Sequence, residues 1–156
     1  MLAFFERHRH HTGSLLVALQ FGLLLLLAVL AAPQVWQGHL PLMSLALAGL
    51  SALLGGWTLA YNRVGNFNIH PAPKAVGYLV TGGPYRLIRH PMYSAVLLGA
   101  GAMAWLAPPW PGALAWGGLL LVLLTKARLE ERWLREKHAA YAAYCQQVRR
   151  FVPWLF

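Results

Sequence analysis

The chain has 156 residues, 58% of them hydrophobic and only 11% charged, and its mean hydropathy is +0.50. A soluble domain carries about 25% charged residues, so a water-soluble globule is excluded, and so is intrinsic disorder, which needs low hydrophobicity and high charge. Thirteen Lys and Arg against four Glu and no Asp give a formal charge of +9, which in a membrane chain means basic loops facing anionic lipid, not nucleic acid.

Residues 1–13 are polar and hold Arg7 and Arg9 with His8, His10 and His11. These histidines read as extra positive charge at low pH, not as a metal site. Residues 14–32 run 19 positions without a charge, close to the ~20 that a spanning helix needs. That run exceeds the ~7–15-residue core of a signal peptide, and Leu30-Ala31-Ala32-Pro33 is a poor cleavage site, so a retained anchor is expected. A short loop, 33–41, precedes a second apolar run of 20 residues at 42–61. The long polar loop 62–91 follows, with His70 read as a turn residue. Two further apolar runs, 92–107 and 110–125, have 16 residues each. Pro108-Pro109-Trp110-Pro111 between them leaves room only for a tight reversal, so they form an antiparallel hairpin. The fourth helix continues past Thr125 into a charged helical tail, where His138 is expected to be solvated and Cys145 to be a half-buried thiol. Gly55, Gly56, Gly99, Gly101, Gly117 and Gly118 permit close helix packing. Trp36, Trp105, Trp110 and Trp154 fit interface anchors.

The expectation is one all-α integral membrane domain over residues 1–156. It has about four transmembrane helices, two of them within 1–61, with a C-terminal helical hairpin and a cytoplasmic helical tail. Basic residues set the orientation. The five non-membrane segments hold two, none, four, none and seven Lys or Arg in order. By the positive-inside rule, both termini, the 62–91 loop and the tail are cytoplasmic, in what reads as an inner or cytoplasmic membrane.

The hairpin returns the end of the 62–91 loop to the start of the tail, so residues near Arg89 and Glu130 share one membrane face. On that face Gly82-Gly83-Pro84 signals a turn, and Pro91 sits at the first turn of the third helix, where its missing N–H costs nothing. The free N–H groups there favour an anion. Arg89 and His90 add donors, and Tyr85 and Tyr93 add aromatic rings. Three of the four acids lie in the tail segment. Glu131 with Arg135 and Arg132 with Glu136 have the i,i+4 spacing of solvated pairs, whereas Glu130 has Leu134 at that position. Glu130 and Glu131 point about 100° apart on a helix, so one faces the bundle and the other solvent. An anion site and an acid site on one face suit a zwitterion such as the amino-acid moiety of S-adenosylmethionine, whose sulfonium aromatic rings stabilise.

The block Gly83-Pro84-Tyr85…Arg89-His90-Pro91-Met92-Tyr93, then an apolar hairpin, then Arg128-x-Glu130-Glu131, Tyr141-x-x-Tyr144 and Val148-x-Arg150-Phe151-x-Pro153 resembles the isoprenylcysteine carboxyl methyltransferase family, part of a wider group with phospholipid N-methyltransferases. The resemblance covers residues 78–156 and departs at Arg149, where related sequences often carry Pro. It implies an integral membrane methyltransferase whose cofactor is S-adenosylmethionine. Tyr85, Arg89, His90, Pro91, Tyr93, Glu130 and Glu131 would bind it, so that 62–156 is the cofactor-binding half. It further implies a lipophilic substrate entering from the bilayer, with no metal and no nucleic acid among the partners. The expected reaction is direct in-line methyl transfer to a carboxylate such as that of an isoprenylated cysteine. A phospholipid nitrogen is the alternative acceptor. Two rivals stand beside these readings: an NADPH-dependent sterol-type reductase, which shares the Arg-His-Pro-x-Tyr helix start, and a non-enzymatic membrane scaffold. The Glu130-Glu131 pair argues against the reductase, because NADPH phosphates call for cations.

Overall fold

The computed structural model describes residues 2–66 and 79–153, with side chains for 11–62 and 79–153. Arg7, Arg9, Arg63, Lys74, His8, His10, His70 and Trp154 therefore lie outside the described side chains. The elements in chain order are α1 (Leu2–Trp36), α2 (Leu42–Asn66), a 3-10 turn (Gly83–Arg86), α3 (Pro91–Leu106), α4 (Pro109–Lys137) and α5 (Tyr141–Gln147). Among the described residues there is no strand, only one isolated parallel bridge between Ile88 and Arg149.

The four long helices coincide with the four apolar runs. α1 begins well before residue 14 and continues through Pro33, which lies in its last turn. There the missing N–H removes a single bond. α3 and α4 are separated by only two residues; α3 opens on Pro91 as expected, and α4 opens on Pro109, inside the stretch expected to form the reversal. The Gly112 N–H donating to Pro108 O at 2.9 Å is the first bond of the α4 ladder. At Gly112 the helices approach so closely that a Cβ would lie 2.8 Å from Ala104 O and 3.0 Å from the Ala107 Cβ.

Packing follows from small residues and one apolar seam. Ser51 on α2 donates to Ala95 O of α3 at 2.7 Å. A Cβ at Gly55 would touch Ala95, and one at Gly99 would lie 2.9 Å from Ser51 Oγ. This register makes α2 and α3 antiparallel. Gly56 and Gly117, expected at contacts too, have nothing within 4 Å. Leu27 of α1, Ala100 of α3, and Ala115, Leu119 and Leu123 of α4 form the buried core. α1 and α2 are consecutive in sequence, but the main contacts of α1 are with α4 and α3.

The bundle is apolar on its outside. Leu15, Leu25, Val29, Leu42, Leu53, Leu114 and Leu121 are all exposed, an arrangement that suits lipid and not water. α1, α2 and α4 are each long and apolar enough to cross a membrane. α3 has 16 residues, about 24 Å at 1.5 Å per residue, short of a ~30 Å hydrocarbon core. α4 has 29 residues and so projects beyond α3 at one end. Trp36, Trp105 and Trp110, all exposed, cluster at the opposite end.

Candidate functional site

The projecting end of α4 carries the polar chemistry. The chain reaches it through a turn shaped by Gly83, whose φ is +56°. A Cβ there would lie 2.5 Å from the Tyr61 ring, so no other residue lets the loop cross α2 so closely. Past the 3-10 turn, residues 88–90 run alongside residues 149–150. Arg89 N–H donates to Arg149 O at 2.7 Å and His90 N–H to Arg150 O at 3.0 Å. Ser94 Oγ donates to Phe151 O at 2.9 Å. The tail is thereby stitched to the start of α3.

Glu131 lies at the centre of this junction, with its side chain 2% exposed. Arg150 grips both carboxylate oxygens, Nε to Oε1 and Nη2 to Oε2, each at 3.0 Å. Arg89 Nε donates to Oε1 at 3.0 Å, and Arg89 Nη2 stands 3.0 Å from the same oxygen. His90 Nε2 is 3.2 Å from it. Arg89 Nη1 donates onward to Val148 O at 2.6 Å and Cys145 O at 2.9 Å. These bonds join α4, the start of α3 and the tail around one buried carboxylate. Bonding to Glu131 in turn raises the pKa of the Arg150 guanidinium.

Of the adjacent pair, Glu131 faces the bundle. The expectation of a solvated Glu131–Arg135 pair is corrected: Arg135 Nη2 reaches Glu131 Oε2 only at 4.0 Å, and the carboxylate is buried. The Arg132–Glu136 pair is present at 3.7 Å on the exposed face. Glu130 is different. Its side chain is 31% exposed, with Oε2 3.7 Å from His90 Nδ1, and it accepts from Tyr93 OH at 2.9 Å. Among the described residues no arginine pairs with it. The His90 and Tyr93 rings stack nearly parallel, 9° apart with centroids at 5.3 Å, and Phe151 lies against both.

Arg89, His90, Tyr93, Glu130 and Glu131 are thus brought into one cluster, and Pro91 is buried at the helix start behind it. The Tyr85 phenol lies near enough for the charge of Glu130 to raise its pKa, though burial is the larger cause. The Tyr85 carbonyl accepts from Tyr144 OH at 2.5 Å. Several participants were not among the expected site residues: Arg150, Phe151 and Ser94, and the pair Lys126–Gln20. The tail motif contained Arg150 and Phe151, so a signal existed. Lys126 was placed with the basic tail, but it is 1% exposed. Its Nζ donates to Gln20 Oε1 of α1 at 2.6 Å and stands 5.3 Å from the Tyr93 ring centroid. His138, expected to be solvated, caps α4 and is half-buried.

The cluster can hold a zwitterion's cation at Glu130 and offers an aromatic face beside it. A family model described as phospholipid methyltransferase matches residues 43–141, well over half of the chain. No curated protein and no solved structure matches the chain.

Proposed function

The chain belongs to the phospholipid methyltransferase family, the wider group that covers isoprenylcysteine methyltransferase-like proteins, and from that premise we propose that it transfers a methyl group from S-adenosylmethionine to a lipophilic acceptor reaching the site from the bilayer. The observation that carries the reading is the division of labour between the two glutamates. Glu131 is consumed by Arg89, Arg150 and His90 and builds the site. Glu130, half-exposed and oriented by Tyr93, is left to meet a ligand.

The residues fit the donor. A carboxylate with no arginine on it suits the methionyl ammonium, and the His90–Tyr93 face with Phe151 suits a sulfonium. Arg89 had been expected to hold the donor's carboxylate, but three of its nitrogens already serve Glu131 and two carbonyls. Its role is therefore positioning. When bound, S-adenosylmethionine supplies an electrophilic methyl on a positively charged sulfur. The protein's part is to align the two partners and keep water out. No covalent enzyme intermediate is needed.

The acceptor we propose is a carboxylate, such as that of an isoprenylated cysteine. A carboxylate is ionised at pH 7 and needs no base. With Glu131 locked and Glu130 assigned to the donor, no third acid among the described residues stands in the cluster to take a proton. The description of the matching family favours a second reading, a phospholipid amine, in which the proton would leave to water. Tritiated methyl donor with the purified protein distinguishes them. A carboxyl methyl ester releases its label as methanol in mild alkali, whereas an N-methyl group keeps it. Label transfer to neither an isoprenylcysteine analogue nor phosphatidylethanolamine overturns the proposal.

A further inference from the structure

Outside the Glu131 junction, Arg86, Leu87, Gln146, Gln147, Arg149 and Pro153 line a cavity of about 250 Å³. Arg86 closes the 3-10 turn, Gln146 and Gln147 end α5, and Arg149 belongs to the extended tail. The Ile88–Arg149 bridge and the bond from Arg89 N–H to Arg149 O hold these pieces together, so the cavity has a built frame. Both arginines are exposed. Neither makes a side-chain hydrogen bond or ion pair among the described residues.

The charge inventory gives this meaning. Of the chain's four acids, Glu131 is held by Arg89 and Arg150, Glu130 faces Tyr93 and His90, and Glu136 pairs with Arg132. The fourth, Glu6, lies outside the described side chains. Two guanidiniums therefore flank a cavity into which no described carboxylate reaches. Two glutamine amides add neutral donors, and Leu87 and Pro153 add an apolar wall. Guanidinium forks with amide donors match the several acceptor oxygens of a tetrahedral anion better than the two of a carboxylate. The volume is headgroup-sized, below the ~300–1,000 Å³ of drug-sized pockets.

We infer that the cavity between Arg86 and Arg149 binds a phosphate oxyanion, supplied either by a lipid headgroup or by free phosphate. The inference stands apart from methyl transfer, because it uses none of the residues assigned to the donor. It also gives a role to Arg149, the position at which the tail departs from the resembling family.

Calorimetry on the full chain in dodecyl maltoside tests it with two probes, inorganic phosphate and the soluble headgroup diester glycerophosphoglycerol. Saturable binding of at least one probe is expected, weakened tenfold or more by Arg86→Ala and by Arg149→Ala and unchanged by Arg128→Ala, an exposed arginine on α4. Tighter binding of the diester identifies a lipid source, and tighter binding of inorganic phosphate a free one. Both arginines are exposed, so an unchanged melting temperature confirms that each variant is folded. No saturable binding of either probe, wild-type affinity in either alanine variant, or an equal loss in Arg128→Ala overturns the site.

Discussion

Glu131 is bonded on both oxygens by Arg150 and further held by Arg89 and His90. Its removal strands buried positive charge, and breaking a buried pair costs about 3–5 kcal/mol. Glu131→Gln is therefore expected to lower thermal stability in detergent sharply. Glu130→Gln keeps an acceptor for the Tyr93 hydroxyl and gives up a 3.7 Å approach to His90 on a side chain that is 31% exposed. It is expected to leave the melting temperature nearly unchanged and to weaken donor binding by roughly 10–150-fold, the worth of a charged hydrogen bond of about 1.5–3 kcal/mol. Melting curves and calorimetry on the two variants check the division; equal melting temperatures would contradict it. The sequence located both glutamates but not which one turns inward. A 100° difference in direction has no sign until the helix is docked, and the partner that decides it, Arg150, is 19 residues away on an extended tail. Lys126 was hidden for a related reason. A lysine one turn before two glutamates reads as tail, and only Gln20, on the first helix, reveals that it is buried.

At the scale of elements, the hairpin depends on close approach. Gly112→Ala would place its Cβ 2.8 Å from a backbone oxygen of α3, so the helices must part, at a cost of about 1–3 kcal/mol. Gly117→Ala has nothing within 4 Å and is expected to be neutral or to stabilise by up to ~1 kcal/mol. Melting temperatures of the pair decide whether the hairpin is packed as described. The tail makes a second prediction. Burial, foremost, pushes the Tyr85, Tyr141 and Tyr144 phenols above their ordinary pKa. The folded chain then keeps protons that the unfolded chain gives up. Stability from these groups is complete below about pH 10, the unfolded value, and is lost progressively as pH rises from there toward the raised folded values. Melting temperature measured from pH 8 to 11 should stay flat and then fall, less steeply in Tyr144→Phe; a rise would contradict the burial. The four helices and the proline-opened hairpin were legible because apolar runs and prolines are local signals. The strand-like contact of residues 88–90 with 149–150 was not, because it has neither periodicity nor a turn to announce it.

For the whole molecule, three helices long enough to span and the shorter α3 form one bundle, with the Glu131 junction at one end and Trp36, Trp105 and Trp110 at the other. The alternation of basic segments predicts a cytoplasmic cluster pole. Reporter fusions at Gly38 and Pro109 are expected to read as exported and one at Ala72 as cytoplasmic; a cytoplasmic signal at Gly38 would break the topology. Fold class was readable from composition alone, since an outside this apolar and this poor in charge has only lipid to face. The acceptor was not, because it is chosen by the shape of a site that closes only when α3, α4 and the tail meet. The central claim is that this cluster binds S-adenosylmethionine through Glu130. Its most direct test is calorimetry of the detergent-purified chain with S-adenosylhomocysteine and, separately, NADPH. The account predicts saturable binding of S-adenosylhomocysteine, weakened roughly 10–150-fold by Glu130→Gln, and no binding of NADPH. Binding of NADPH alone, of neither compound, or of S-adenosylhomocysteine with wild-type affinity in Glu130→Gln would contradict it.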